Sequence, residues 1–336
     1  MGLVSYAIAG SVTKFYKKAK LVAGGSSLKA VRMLLDAVGC TMVYHTGWSD
    51  YLNCRFYSKS RAQRREYVSI GACDRFYNIV SPKRHREEFS IKPDFLVRYG
   101  KFIDRDSYQP NQGVEELQRF MAKHQSFIVK PVDGLGGHKV ELLQASDIVA
   151  VDEFHRKLSD ERLFMEQVVV QHPDMAKLAP ASCNTVRVMT LGVNGKSRII
   201  FAVARVGNGV SNVDNFHQGG MAIKVDIETG RLIGNAFNKV DTQFERHPMT
   251  GIKFDGYQLP NWPTVRQIVL EAALISENIM VVGWDVAITP TGATFIEGNR
   301  RPAWDLVQGV SGCGQKALMR QVVDEVNQAK GTHYKI

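Results

Sequence analysis

Cysteine is scarce and poorly placed for cross-linking. The 336 residues hold five, Cys40, Cys54, Cys73, Cys183 and Cys313, an odd number at wide, irregular spacing with no Cys-x-x-Cys pair. That pattern excludes a disulfide frame and a thiolate zinc site and fits buried thiols of a cytoplasmic protein. Long apolar runs are also missing: none approaches the ~18 residues of a spanning helix. The mildly apolar opening, residues 1–12, precedes the basic Lys14, Lys17, Lys18 and Lys20, the reverse of a secretory signal. Tyr6 stands where N-myristoylation would want Ser or Thr. No glycine-rich G-x-G-x-x-G joins a strand to a helix, which argues against a dinucleotide-binding unit. Repeats, low-complexity tracts and any convincing Ser-His-Asp or Cys-His set are absent as well.

Charge is present but lopsided. Of the net +10, residues 1–126 carry all of it, with 21 Lys+Arg against 11 Asp+Glu, while residues 127–336 balance at 22 against 22. A basic third of this kind suits nucleic acid, an acidic membrane surface, or an anionic polymer or nucleotide. No nucleic-acid motif accompanies it, so nucleic acid is not expected. A solvated basic face, or an amphipathic helix resting on an anionic membrane or a partner, stays open, with an ordinary packed surface helix favoured for the opening segment.

The elements follow from periodicity and turn chemistry. Ser26–Val38 has a helical pattern, with Ser27 as cap and Leu28, Val31, Leu34 and Leu35 as its apolar face before Gly39. The stretch 51–80 is mainly helical, 88–105 predicts a helix carrying Phe95, Leu96, Tyr99 and Phe102, and 114–124 another. After Phe127 the texture turns to strands: 127–130, 140–143, 163–170, 185–193, 198–206, 221–226, 232–236, 281–289 and 293–297. Asn194-Gly195-Lys196, Glu228-Thr229-Gly230-Arg231 and Pro290-Thr291-Gly292 mark hairpins. Helices are expected over 147–158, 263–279 and 315–328. The fold class is α+β with mostly antiparallel sheets.

Several stretches carry chemistry. Phe127 to Gly137 is an apolar run ending in Lys130, then Pro131 and a turn rich in glycine at Gly134, Gly136 and Gly137. An ammonium at a strand end beside glycines that let backbone N–H groups approach suits a polyphosphate, although a plain hairpin gives the same pattern. Glu166 and Gln167 interrupt the apolar run 163–170. A carboxylate there needs a donor, and an adenine amino group would be one, with the backbone of Gln167 or Val168 reading the ring edge. Gln171 or Asp174 could accept from ribose hydroxyls. Arg187, mid-strand, and Arg205 on the next strand either face solvent or meet an anion, for which the guanidinium fork suits a phosphoryl group in transfer. Asp285, Glu297 and Asn299 offer three oxygen ligands on a strand pair, the last two sharing a face at i and i+2, a set suited to Mg²⁺ that takes its remaining ligands from phosphate and water. Asp214, Asn215, His217, Gly219 and Gly220 crowd a polar, glycine-terminated loop suited to a substrate pocket or lid.

In this order the motifs resemble the ATP-grasp superfamily, most closely its sugar-transfer-associated branch, over roughly residues 88–325: FIVKP, GLGG, FMEQVV, TVRVMTL, the VDN and GG loop, and WDVA with FIEGNRRP. The resemblance implies an ATP-grasp fold, two α+β lobes with mostly antiparallel sheets clasping a nucleotide, as 88–170 and 171–336, behind a helical basic region, 1–87. It adds Lys92 as a second ATP-contacting lysine, places Arg300 on the substrate side and gives Arg187 the transferred phosphoryl group. It further implies a carboxylate-amine ligase using ATP and Mg²⁺: a carboxylate is phosphorylated and an amine displaces phosphate, joining an amino acid to another amino acid or an acidic sugar. The alternatives are a phosphotransferase acting on a hydroxyl and a non-catalytic protein binding a nucleotide or anionic polymer. One geometric expectation tests the assembly: Lys130 and Glu297 should face each other across one cleft.

Overall fold

The computed structural model describes residues 2–133, 139–209, 219–238 and 242–336. The amino-terminal region is built from α1 (Gly2–Val22), α2 (Ser27–Tyr44), α3 (Trp48–Asn53), α4 (Arg61–Arg65) and α5 (Ile70–Val80). Ser26, not Ser27, caps α2, its hydroxyl accepting from Lys29 N at 3.4 Å. The helix runs through Gly39 to Tyr44. Its buried face is not the leucine face expected from periodicity. Ala30, Met33, Ala37 and Cys40 pack with Phe15, Ala19, Tyr51 and Phe56 in a small core, while Leu28, Val31 and Leu35 are exposed. Two alanines at the contact let α1 approach closely, and this packing carries the helix past Gly39, whose intrinsic penalty is only about 1 kcal/mol. Asp36 pins the cluster, taking two hydrogen bonds from Arg64 at 2.8 and 2.7 Å and one from the Tyr51 hydroxyl at 2.7 Å.

α5 belongs elsewhere. Ala72, Phe76, Tyr77 and Val80 pack in the core of the large sheet described below. Next comes α6 (Lys92–Arg98), one turn of 3₁₀ helix to Phe102, then β1 (Ser107–Tyr108), α7 (Val114–Lys123), β2 (Ser126–Pro131), β3 (Glu141–Gln144), α8 (Val151–Asp160) and β4 (Leu163–Gln167). The strands form an antiparallel sheet in the order β1-β4-β2-β3, with α7 and α8 covering Phe127, Val129, Leu163 and Met165.

The rest is α9 (Pro173–Leu178), β5 (Thr185–Val193), β6 (Lys196–Val206), β7 (Met221–Val225), β8 (Leu232–Asn238), β9 (Gln243–Phe244), α10 (Trp262–Ala272), β10 (Val281–Thr289), β11 (Gly292–Asn299), α11 (Trp304–Ser311) and α12 (Lys316–Lys330). Seven strands pair antiparallel in the order β11-β10-β5-β6-β7-β8-β9. Asn194 and Gly195, both at positive φ, make the two-residue turn of the β5–β6 hairpin. α10 ends at Ala272, short of the expected 263–279, and the Ala273 carbonyl beyond it fills the place a Cβ on Gly192 of β5 would take. The sheet is covered on both sides, by α6 and α10 on one and α5, α11 and α12 on the other, so every residue of β10 is buried. Two-sided cover explains why β10 reads as a continuous apolar run in which Asp285 stands out.

Candidate functional site

Burying Asp285 at 3 % exposure in the middle of β10 demands charged partners. β5 and β6 supply them. Arg187 is directly opposite Asp285 in the β5–β10 ladder and engages both carboxylate oxygens, Nε to Oδ1 and Nη2 to Oδ2 at 2.7 Å. Arg205 adds a contact to Oδ2 at 2.8 Å. Burial alone would push the Asp285 carboxyl up; the two guanidiniums overcome it and hold the group at about 2. Gly283, on the same face, makes room for this fork: a Cβ there would stand 3.1 Å from Arg187 Cδ and 2.6 Å from Pro302 Cβ.

Glu297 reaches Asp285 through a β-bulge. The β10–β11 register pairs Val286 with Phe295 but Asp285 with Glu297, leaving Ile296 as an extra residue. In a regular strand Phe295 and Glu297 would share a face. The bulge sends Phe295 into the core beside Trp284 and turns Glu297 onto the Asp285 face. Asn299 Nδ2 donates to Glu297 Oε1 at 3.2 Å. Burial and the nearby Asp285 carboxylate push the Glu297 carboxyl up. Gly298 lies between the two side chains where a Cβ would stand 2.7 Å from Phe89 and 2.8 Å from Phe95, so the Glu-Gly-Asn ending is shaped by packing as well as by chemistry.

The small sheet repeats the arrangement. Glu166, 4 % exposed, is held by Lys130 at one oxygen and by Arg105 at the other, Nη2 to Oε1 at 2.7 Å. Burial opposes the charge, and Lys130 and Arg105 outweigh it to hold the Glu166 carboxyl below its ordinary value. The donors that the sequence reading sought in adenine are thus supplied by these two cations. Lys92 Nζ donates to Pro131 O at 3.1 Å, and burial, then the Lys130 ammonium, depress its pKa while Glu297 draws it back up. Lys130 likewise lowers the Glu297 pKa. Lys92, Lys130, Glu166 and Glu297 therefore feel one another's charge although Lys92 starts α6, Lys130 and Glu166 lie in the small sheet and Glu297 ends the large one.

Arg105 was not singled out in the sequence. It donates to the carbonyls of Phe295 and, at 3.3 Å, Ile296, the two residues at the bulge, while gripping Glu166. One buried guanidinium thus bridges the sheets and satisfies two backbone carbonyls of β11, the edge strand of the large sheet. Its partners lie 61, 190 and 191 residues away, and a lone arginine between Asp104 and Asp106 gives no local sign of them.

Gln167 Oε1 accepts from Asp106 N at 3.1 Å, and Val168 lies just beyond β4, half-buried. Asp174 is on α9, where Lys177 meets it at 2.6 Å at the surface, and the Gln171 amide is engaged by Ser182 and Asn184. Gly219 and Gly220 lead into β7, where Ala222 pairs with Arg205. Arg300 is half-buried just past β11. Gly134, Gly136, Gly137, Asp214, Asn215 and His217 lie outside the described residues. Among the described residues no group of three His, Cys, Asp or Glu forms a metal cage. The donors at the end of β11 are two carboxylates and one amide oxygen, few and hard, as suits an ion that takes further ligands from phosphate and water.

The ATP-grasp ligase PsnB, complexed with a phosphomimetic variant of minimal precursor, Mg and ADP, aligns at 15% identity over 73% of this chain and 60% of its own, TM-score 0.44. D-cycloserine synthetase DcsG aligns at 14% identity over 83% of this chain and 93% of its own, TM-score 0.43. The D-alanine-D-alanine ligase from Coxiella burnetii aligns at 13% over 70% and 57%, TM-score 0.40. The chain spans 60%, 64% and 62% of the length of three PsnB structures it matches. No curated protein matches it. The family model described as sugar-transfer-associated ATP-grasp matches residues 85–324, and the chain belongs to that family.

Proposed function

We propose that this chain is an ATP-dependent ligase that joins a carboxylate to an amine. What supports the reading is that Arg105 joins Glu166, the partner of Lys130, to the strand carrying Glu297, where Asp285 and Asn299 stand beside Glu297 with Arg187 and Arg205 behind them. Lys92 and Lys130 would hold the polyphosphate of ATP, a substrate here, by charge and hydrogen bonding. Asp285, Glu297 and Asn299 would hold Mg²⁺, which when bound offsets negative charge on phosphate oxygens. Arg187 and Arg205, fixed by Asp285, would present N–H groups to the group in transfer without reorganising.

The substrate carboxylate would attack the γ-phosphorus of ATP and release ADP. The acyl phosphate would then be attacked at carbon by an amine, which loses a proton to solvent as phosphate leaves, so an amide forms with no side-chain nucleophile. The carboxylate and amine are an amino acid with another amino acid or an acidic sugar, in keeping with the family's association with sugar transfer.

A screen of amino acids and uronic acids with Mg-ATP, scoring ADP and phosphate release together and identifying the product by mass, tests this. The expected result is one amide and one free phosphate per ADP, with Glu297→Gln lowering turnover on the order of 10²–10³-fold. A product that keeps the phosphate would overturn the ligase assignment in favour of a phosphotransferase, and unchanged turnover in Glu297→Gln would remove Glu297 from the site.

A further inference from the structure

α2 carries a second apolar face that is left exposed among the described residues. Leu28, Val31, Leu35, Val38 and Met42 recur at alternating steps of three and four residues, which places them in one stripe along the helix, and they are 70%, 43%, 67%, 38% and 68% exposed. Leu21 at the end of α1, Val43 on α2, and Ile70, whose amide donates to His45 O beyond the end of α2, are also exposed, at 73%, 68% and 55%. Contiguous exposed apolar surface of this kind marks a contact surface.

Its charge setting says which contact. Residues 2–47 hold six Lys or Arg, Lys14, Lys17, Lys18, Lys20, Lys29 and Arg32, and one acid, Asp36. That acid is held by Arg64 and Tyr51. Lys29 and Arg32, both exposed, flank the stripe on its own helix, and Lys14, Lys17 and Lys20 stand exposed on the adjoining α1. The region therefore presents exposed apolar side chains and exposed cations together. A second copy of the chain seated on the stripe would set these cations against an identical set. An interface of acyl chains below and anionic headgroups above satisfies both, with the lysine stems lying along the apolar layer and their ammonium groups among the phosphates.

We propose that the α1–α2 hairpin docks on an anionic lipid surface through the Leu28–Val31–Leu35–Val38–Met42 stripe and its flanking cations, holding the ATP-grasp body at the membrane face. The docking is peripheral, since no helix among the described residues is long and apolar enough to cross a membrane. Lys59 Nζ on Gly312 O at 2.7 Å, and Glu66 O accepting from Lys316 N at 3.0 Å, tie the helical region to the body. The lipid surface thus meets a fixed part of the molecule.

The test is co-sedimentation of the full chain with phosphatidylcholine vesicles, with and without phosphatidylglycerol, at low and high salt. Binding is expected only to the vesicles containing phosphatidylglycerol, weakening as salt rises. Leu35→Glu with Met42→Glu, and separately Lys14→Glu with Lys17→Glu, should each lower partitioning at least about tenfold. Both pairs are exposed, so thermal unfolding should match the parent chain and show that the loss is not misfolding. Failure to bind phosphatidylglycerol vesicles at low salt would overturn the proposal and turn the search to an acidic protein partner. So would binding that the Leu35→Glu, Met42→Glu chain retains. A dimer seen by light scattering that the same variant dissolves would reassign the stripe to a second copy.

Discussion

The two sheets solve the same electrostatic problem with different remainders. Each buries one carboxylate between two cations, Glu166 between Lys130 and Arg105 in the small sheet and Asp285 between Arg187 and Arg205 in the large one. Beside the first stands another cation, Lys92; beside the second, another carboxylate, Glu297. The small-sheet side is left with excess positive charge, suited to phosphate. On the large-sheet side the charges balance and oxygen donors remain, suited to a hard cation. Paired buried charges seldom add net stability, so the value of both clusters lies in holding these remainders in place.

The largest test of that contrast is Asp285→Asn, which leaves two buried guanidiniums facing a neutral amide. A loss on the order of 3 kcal/mol at neutral pH is expected from urea unfolding. The pH dependence fixes its origin. Asp285 is held at about 2, below the ordinary aspartate value of 3.8, so its charge stabilises the fold above pH ~4 and that contribution is lost as pH falls through about 2. The gap between parent and variant should narrow by about 2 kcal/mol across that window. A gap independent of pH would mean that packing, not charge, distinguishes the two chains.

Arg105→Met comes next. It strips Glu166 of one of two cations and leaves the bulge carbonyls of Phe295 and Ile296 without this donor, for an expected loss of about 2 kcal/mol. Because Arg105 ties Glu166 to the strand that aims Glu297, catalysis should fall even where the variant is fully folded. Normal turnover in folded Arg105→Met would show that the sheets keep their relation without the bridge. The smallest effect is expected from Gly298→Ala, whose methyl must push back Phe89 and Phe95, at about 1 kcal/mol by thermal unfolding.

Legibility in the sequence varied with the range of the interaction involved. β5 and β10 have the boundaries expected from their apolar runs and turn residues, because a two-residue Asn-Gly turn and a Pro-Thr-Gly turn are local chemistry. The chain's place in the family was legible from the order of FIVKP, FMEQVV and FIEGN. The helices were harder. The expected helix over 88–105 shrinks to α6 and a 3₁₀ turn, and the helical stretch over 51–80 breaks into α3, α4 and α5, since packing against a sheet or a neighbouring helix selects which turns persist. α9, α11 and β1 were not foreseen. The apolar spacing of Leu28, Val31, Leu34 and Leu35 on α2 does not mark the face that packs, since Ala30 and Ala37 are buried and Leu28, Val31 and Leu35 exposed.

The sequence alone thus determined the positions of most strands and of the hairpin turns, the placement of Lys130, Asp285, Glu297 and Asn299 on those strands, and the crowding of positive charge into the first 126 residues. These follow from period, turn chemistry and counting. Tertiary structure decided which cation holds which carboxylate, the bulge at Ile296 that turns Glu297 toward Asp285, the bridge made by Arg105, and the face of α2 left uncovered. Each depends on residues far apart in the chain meeting in a low-dielectric interior or across a helix contact, where the partner, and not the residue itself, sets the outcome.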